Sequence, residues 1–158
     1  MLNLKLYRPA VGILIYKKNY GFWVGKRLNQ FQYAWQMPQG GIDAGEKPET
    51  AMQRELYEET NISSYKIIDQ NDHWLTYDLP QNLAKNFWEG KYVGQKQKWF
   101  LLEFTGNDSE ININKINPEF SEWSWQNSKF IMANIVKFKY KIYQEIFHKW
   151  PDKLTYQQ

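Results

Sequence analysis

The sequence predicts an α/β layered domain in which strands outnumber helices. Three observations carry that expectation. Short β-rich runs recur along the chain, among them residues 11–16, 99–102 and 120–125. Residues 48–60 form a helical segment with both a start and a stop signal. Residues 130–150 place Ile131, Ile135, Phe138, Ile142 and Ile146 at helical spacing.

Taken in order, residues 9–16 alternate loosely and read as a strand. Residues 21–26 read as its hairpin partner, with Asn19, Tyr20 and Gly21 near the turn. Residues 35–38 are a short segment running into Gly40 and Gly41, which mark a tight backbone site. In the helix at 48–60, Pro48 suits the first turn and Glu49 favours the positive end of the macrodipole. Ala51, Met52 and Leu56 give its apolar stripe. Asn61 stands at the stop, where a left-handed residue is common. Residues 65–68 and 73–78 look like strands, and 80–90 like an irregular loop. Residues 96–105 read as a buried strand through Trp99, Phe100, Leu101, Leu102 and Phe104. Residues 120–125 alternate aromatic and polar side chains and read as another. The C-terminal helix has a break expected near Lys137. Residues 1–150 are expected to form one domain, followed by a polar tail, 151–158, that frays.

Composition narrows the function. The chain has 158 residues with 42% apolar and 23% charged residues, which excludes global disorder. It has no cysteine, so a disulfide framework, a thiolate zinc site and a cysteine nucleophile are all excluded. No apolar run approaches the ~18 residues that span a bilayer. The first residues lack the basic-then-apolar layout of a signal peptide, so a soluble cytoplasmic protein without membrane partners is expected. A formal charge of +3 is too mild to declare nucleic-acid binding by itself. The distribution says more. Acidic residues crowd into 43–59, and Lys and Arg crowd at 17–27, 96–98 and 137–149. An acidic pocket rimmed by basic patches suits a divalent metal and a polyphosphate. Aromatic residues reach 18%, which builds a bulky core and leaves a few rings for stacking on bases.

The chemistry concentrates in residues 40–62. Glu55, Glu58 and Glu59 stand at i, i+3 and i+4, so their carboxylates share one helix face. Like charges at that spacing destabilise a helix by roughly 0.2–0.5 kcal/mol per pair. Arg54 can pair with Glu58 at i+4, and Glu46 can reach Arg54 from the loop. A divalent cation would offset the rest, and hard carboxylate oxygens favour Mg²⁺ or Mn²⁺. A solvated acidic face accounts for three glutamates alone. It does not account for their fixed spacing to Gly40, Glu46 and Arg54.

That spacing resembles the Nudix box, G-x5-E-x7-R-E-U-x-E-E-x-G-U, with U aliphatic. Gly40, Glu46 and Arg54-Glu55-Leu56-Tyr57-Glu58-Glu59-Thr60-Asn61-Ile62 supply it. One position departs: Asn61 stands where the family has Gly. Asn tolerates the left-handed backbone, so a modest stability cost and little effect on activity are expected. The resemblance continues outside the box. Tyr7-Arg8-Pro9, Trp35-Gln36-Met37-Pro38-Gln39-Gly40-Gly41, Gly94-Gln95-Lys96-Gln97-Lys98-Trp99-Phe100, Pro118-Glu119-Phe120 and Phe138-Lys139 together look like the bacterial RNA 5′-pyrophosphohydrolase group, also described as dinucleoside polyphosphate hydrolases.

The resemblance implies the Nudix fold, an α/β/α sandwich around a central mixed β-sheet. It implies Mg²⁺-dependent hydrolysis, with Mn²⁺ as substitute, of a nucleoside diphosphate linked to another group. Its metal ligands would be Glu55, Glu58, Glu59 and Glu119, with a backbone carbonyl near Gln39 and Gly40. Glu46 and Arg54 would form the supporting ion pair. Arg8, Arg27, Lys96, Lys98 and Lys139 would hold phosphates. Val136 and Phe138 would pack against a base with Arg27 stacking opposite, and Gln39, Tyr77 and Gln95 would be further substrate-side residues. Glu58 or Glu59 would be the general base. The implied reaction converts a 5′-triphosphate RNA end to a 5′-monophosphate and so initiates mRNA decay. Hydrolysis of dinucleoside polyphosphates such as diadenosine tetraphosphate, nucleotide-pool sanitising and a catalytically inactive nucleotide-binding module are the competing readings. The intact Arg54, Glu55, Glu58 and Glu59 oppose the inactive module.

Overall fold

The computed structural model describes residues 6–156. Among the described residues, eight strands form one sheet, with path β3 (Trp35–Gln36), β2 (Gly21–Arg27), β1 (Tyr7–Lys17), β7 (Gly94–Phe104), β5 (Tyr65–Gln70). Strand β1 (Tyr7–Lys17) and β7 (Gly94–Phe104) are its spine. They run parallel from Tyr7 opposite Gly94 to Tyr16 opposite Glu103. Strand β2 (Gly21–Arg27) pairs antiparallel with β1 only beside the hairpin turn, at Tyr16–Phe22 and Lys17–Gly21. It then diverges to pair with β3 (Trp35–Gln36) and β8 (Phe120–Gln126). The edge of β1 that β2 leaves is taken by β4 (Gln39–Gly41), at Ala10, Val11 and Gly12. Strands β5 (Tyr65–Gln70) and β6 (Leu75–Asp78) pair antiparallel with β7. The sheet is therefore mixed, and it opens between β2 and β4.

Period-two alternation along the spine feeds two cores. Val11, Ile13, Ile15, Phe100 and Leu102 pack beneath helix α1 (Pro48–Thr60) through Ala51, Met52 and Leu56. Leu14, Tyr16, Trp99 and Leu101 pack against Ile131 of α3 (Ser128–Asn134) and Ile142, Tyr143 and Ile146 of α4 (Tyr140–Lys149). This is the expected α/β/α sandwich. The helix α1 occupies the span read from its end signals, and Asn61 closes it in the left-handed region at φ 66°.

Three segments differ from expectation. The expected loop at 80–90 contains a short helix, α2 (Gln81–Ala84), and a 3-10 turn at Trp88–Gly90. Pro80 starts α2 because its carbonyl accepts the N–H groups of Leu83 and Ala84. The C-terminal helix is broken, as read, by a 3-10 turn at Lys137–Lys139. The tail is not frayed over the described residues. Asp152–Tyr156 forms a 3-10 turn, Leu154 packs on the core and Thr155 is buried. Asp152 accepts the backbone N–H of Ser128 at 2.8 Å and its hydroxyl, which closes the start of α3. The backbone N–H of Asn19 reaches the carbonyl of Thr155. Polar composition suggested fraying, whereas the polar atoms serve as helix-end partners. Among the described residues no helix is long and apolar enough to cross a membrane.

Replacing Asp152 with Ala removes a charged acceptor from both Ser128 groups, so it lowers stability by roughly 1.5–3 kcal/mol. Denaturant unfolding checks this; an unchanged midpoint contradicts the anchored tail.

Candidate functional site

The opening between β2 and β4 is a cleft of about 350 Å³. Its acidic side is made where β4 passes α1. A Cβ at Gly40 would overlap the Glu55 carboxyl, and one at Gly41 would overlap the Arg8 guanidinium. Two glycines are therefore required for this approach of backbone to charged side chains. The approach is locked by Arg54. Its guanidinium donates to both Glu46 carboxylate oxygens at 2.9 and 2.8 Å, to the Gly41 carbonyl at 2.8 Å and to Glu55 at 2.8 Å. Glu58, at i+4, accepts a longer bond of 3.3 Å. The bidentate Arg54 pair holds the Glu46 carboxyl down at about 2, and the Asp43 N–H adds to the effect. Glu46 and Arg54 thus stand behind the cleft and orient it.

Glu59 is the most conflicted side chain. It is 8% exposed, and its Oε2 has no hydrogen-bond partner. Burial pushes its pKa well above the usual carboxylate range; Glu55 and Glu119 push the same way, against a hydrogen bond from the Gln39 backbone. Burial also raises Glu55, against the pull of Arg54. Glu119 stands just before β8, and its carbonyl accepts the Leu28 N–H at 3.0 Å. Glu58 faces a neighbouring hollow lined also by Glu55, Glu59, Glu119, Lys115 and Asn117. Among the described residues, no three His, Asp or Glu side chains already form a closed cation cage. Arg54 explains this in part, since it engages both Glu55 and Glu58. The donor set nevertheless fits a hard divalent cation: an orphaned buried carboxylate oxygen between two further carboxylates is what such an ion relieves. Glu55, Glu58, Glu59, Glu119 and the Gly40 carbonyl are the groups available to hold it.

The opposite side is cationic and aromatic. Arg8, Arg27, Gln95, Tyr77, Phe138 and Lys139 all line the cleft, as does Gln39 from the acidic side. Lys139 is 3% exposed and donates to Gln36 Oε1 at 3.1 Å. Burial, helped by Arg27 and opposed by Glu59 and Glu119, lowers its pKa to about 7. Arg27 donates to the same Gln36 oxygen at 2.8 Å and covers the Phe31 ring. Tyr77, pushed to about 12 chiefly by burial, stacks on Phe138 with centroids 5.8 Å apart and planes inclined by 29°.

Three expected residues lie elsewhere. Lys96 and Lys98 do not line the cleft. They share the β7 face opposite Gln95 and Gln97. Lys98 donates to the Asn71 carbonyl at 2.6 Å, and Lys96 covers the Trp74 ring. Val136 is a core residue at 4% exposure, beside an adjoining groove rather than in the cleft. Four residues given no role from sequence do contribute. Gln36 is the shared acceptor of Arg27 and Lys139, and Gln97 bridges Gln39 and Gln95. Phe31 and Trp88 add rings to the lining. Gln36 and Gln97 had a signal, since both are uncharged polar residues inside the aromatic motifs quoted above; Phe31 and Trp88 had none.

The NUDIX domain pattern matches residues 6–146. The RNA pyrophosphohydrolase of Wolbachia pipientis subsp. Culex pipiens is 44% identical over 147 residues, 92% of this chain and 90% of that protein. That of Rickettsia bellii is 46% identical over 140 residues, 89% of this chain and 87% of that protein. Among solved structures, the E. coli dihydroneopterin triphosphate pyrophosphohydrolase superposes with a TM-score of 0.68 at 17% identity, covering 92% of this chain and 99% of that one. A C. elegans Ap4A hydrolase binary complex gives 0.66 at 20% identity, with 90% and 96% covered. Both show the fold alone.

Lys139 carries a pH prediction. A polyphosphate analogue binds most tightly below pH 7, where Lys139 is protonated, and affinity falls as pH rises through about 7. The loss between about pH 6.5 and 8.5 is roughly fivefold or more. Lys139→Arg stays charged throughout and flattens the profile. Equilibrium binding without divalent ions measures it, and identical profiles for both proteins contradict the assignment.

Proposed function

We propose a function for this chain from one premise: it belongs to the NUDIX family. It hydrolyses a phosphoric anhydride, removing pyrophosphate from the 5′-triphosphate end of RNA to leave a 5′-monophosphate, the step that opens an mRNA to decay. The observation that carries this reading is the opposition inside one cleft of a buried carboxylate with an unpartnered oxygen, Glu59 Oε2, to Arg8, Arg27 and Lys139, with Phe138 beside them. The relatives named RNA pyrophosphohydrolase support the substrate. The cytoplasm, where RNA 5′ ends are made, is the expected location.

The residues divide the work by charge. Arg8, Arg27 and Lys139 hold the phosphate chain by charge-assisted hydrogen bonds. Gln36 fixes both Arg27 and Lys139 from behind. Phe138 and Tyr77 give the first bases an aromatic surface, with Arg27 over the neighbouring Phe31. Arg54 and Glu46 hold Glu55 against Gly40. A divalent ion, Mg²⁺ by preference with Mn²⁺ as substitute, supplies charge neutralisation at the phosphate and acidifies water when bound. The oxygen of a water bonds to phosphorus, the bridging P–O bond between the α- and β-phosphates breaks, and the departing group takes the electron pair, so that pyrophosphate and the 5′-monophosphate separate. Glu58 or Glu59 is our candidate to accept the proton. Glu58 has the solvent access, with its side chain 57% exposed. The rest is positioning and charge, which suffices in kind for phosphoryl transfer.

A competition assay tests the reading. Given 5′-triphosphorylated RNA and diadenosine tetraphosphate with Mg²⁺, the protein forms 5′-monophosphate RNA faster. Glu58→Gln loses at least roughly 90% of that rate with its fold intact by circular dichroism. Faster dinucleotide cleavage moves the substrate to dinucleoside polyphosphates. Turnover of neither points to a binding module, and an unchanged Glu58→Gln rate defeats the site assignment.

A further inference from the structure

A line of polar side-chain atoms runs from the core to the cleft. Gln95, Gln97 and Trp99 stand two residues apart on β7 and so share one face of the sheet. Gln39 meets Gln97 from β4. Trp99 is fully buried, and Gln97 and Gln95 are 1% and 2% exposed. The indole is fixed in place from two sides. It lies where a Cβ at Gly12 would overlap it, and it meets the Tyr143 ring edge to face at 5.8 Å.

The line has a direction. A glutamine amide turned end for end keeps nearly the same shape, so shape alone does not choose between its oxygen and its NH2 group. The indole N–H makes the choice, because it donates and never accepts. It donates to Gln97 Oε1 at 3.0 Å. Gln97 Nε2 therefore points the other way, and it donates to Gln95 Oε1 at 2.9 Å and to Gln39 Oε1 at 3.2 Å. The reverse arrangement would set the Gln97 NH2 against the indole N–H and leave buried donors without acceptors, which is costly away from water. Gln39 and Gln95 thus hold their oxygens inward. Both line the cleft, whereas Gln97 and Trp99 do not. The NH2 end of each is what remains for a ligand.

We propose that Trp99 and Gln97 are positioning residues, which turn Gln39 and Gln95 so that the uncharged polar part of the cleft offers N–H donors, and no amide oxygen, to the phosphate oxygens of the substrate. The inference rests on the polyphosphate reading and deepens it. Ionised phosphate oxygens accept hydrogen bonds and do not donate them, so a glutamine free to turn would meet them with the wrong end part of the time. Arg8, in the same cleft, supplies charge, and the two amides supply direction. Neither Gln97 nor Trp99 touches the substrate; each acts through the glutamines.

Inorganic tripolyphosphate is the probe, with chelator present so that no divalent ion contributes. In the native full-length protein, its addition moves the side-chain NH2 resonances of Gln39 and Gln95 in NMR spectra. Unmoved resonances in a protein that binds the probe overturn the proposal. Gln97→Met keeps the side-chain volume and frees both amides to turn, so it weakens tripolyphosphate binding roughly threefold to tenfold. The same substitution in a Gln39→Met, Gln95→Met background has no further effect, because it acts only through those amides. Equal affinities of the native and Gln97→Met proteins overturn the proposal. A full loss repeated in that background also overturns it, since it marks a general disturbance of the cleft. The resonance shifts decide the matter where Gln97→Met does not fold by circular dichroism. A native protein that does not bind tripolyphosphate overturns the polyphosphate reading and this inference together.

Discussion

The guanidinium of Arg54 is the constraint on which the site depends. It joins the 43–46 loop through Glu46, strand β4 through the Gly41 carbonyl, and its own helix through Glu55. Three separate pieces of chain converge on one rigid planar fork, a task for which a lysine has the wrong geometry. Gly40 and Gly41 make the convergence possible by leaving room for Glu55 and Arg8. The carboxylates on α1 are thereby held near the sheet opening rather than spread in solvent. The two cores beneath and above the sheet supply the rigidity that this alignment needs.

Burial sets both sides of the cleft against their own charge. Glu59 is raised well above the carboxylate range, and Lys139 is brought down to about 7. Burial by itself favours the neutral form of each. A divalent cation favours ionised Glu59, and a polyphosphate favours protonated Lys139, so the two ligands restore the charge that burial opposes. The folded chain therefore carries part of the electrostatic cost before substrate arrives. That is preorganisation of the kind that stabilises charge at phosphorus.

Much of this was legible in the residues, for identifiable reasons. Helix α1 was readable because Pro48, Glu49 and Asn61 are each explained by one local rule. The break expected near Lys137 is present as a 3-10 turn, although the apolar residues on both sides keep helical spacing. The pairing of Arg54 with Glu46 and Glu58 followed from i+4 geometry and loop reach. Lys96 and Lys98 illustrate the limit. Alternation shows that they share a face but not which face opens onto the cleft, and that depends on where β6 and β4 dock. Asn61 illustrates another. Its left-handed backbone was expected, but its side chain also donates to the Glu110 carbonyl and accepts from Lys115, bonds that a glycine cannot make. Those partners are distant in sequence, as are Asp152 and Ser128, so only the folded chain reveals them.

Glu59 is held buried with its Oε2 unpartnered, a position that a cation would neutralise. The unfolding free energy of the native protein and of Glu59→Gln, each with chelator and then with Mg²⁺ at about pH 8, tests it most directly. Glu59→Gln is expected to be the more stable in chelator, by roughly 1–3 kcal/mol. Mg²⁺ is expected to stabilise the native protein alone. A variant less stable than the native protein in chelator, and equally stabilised by Mg²⁺, would contradict it.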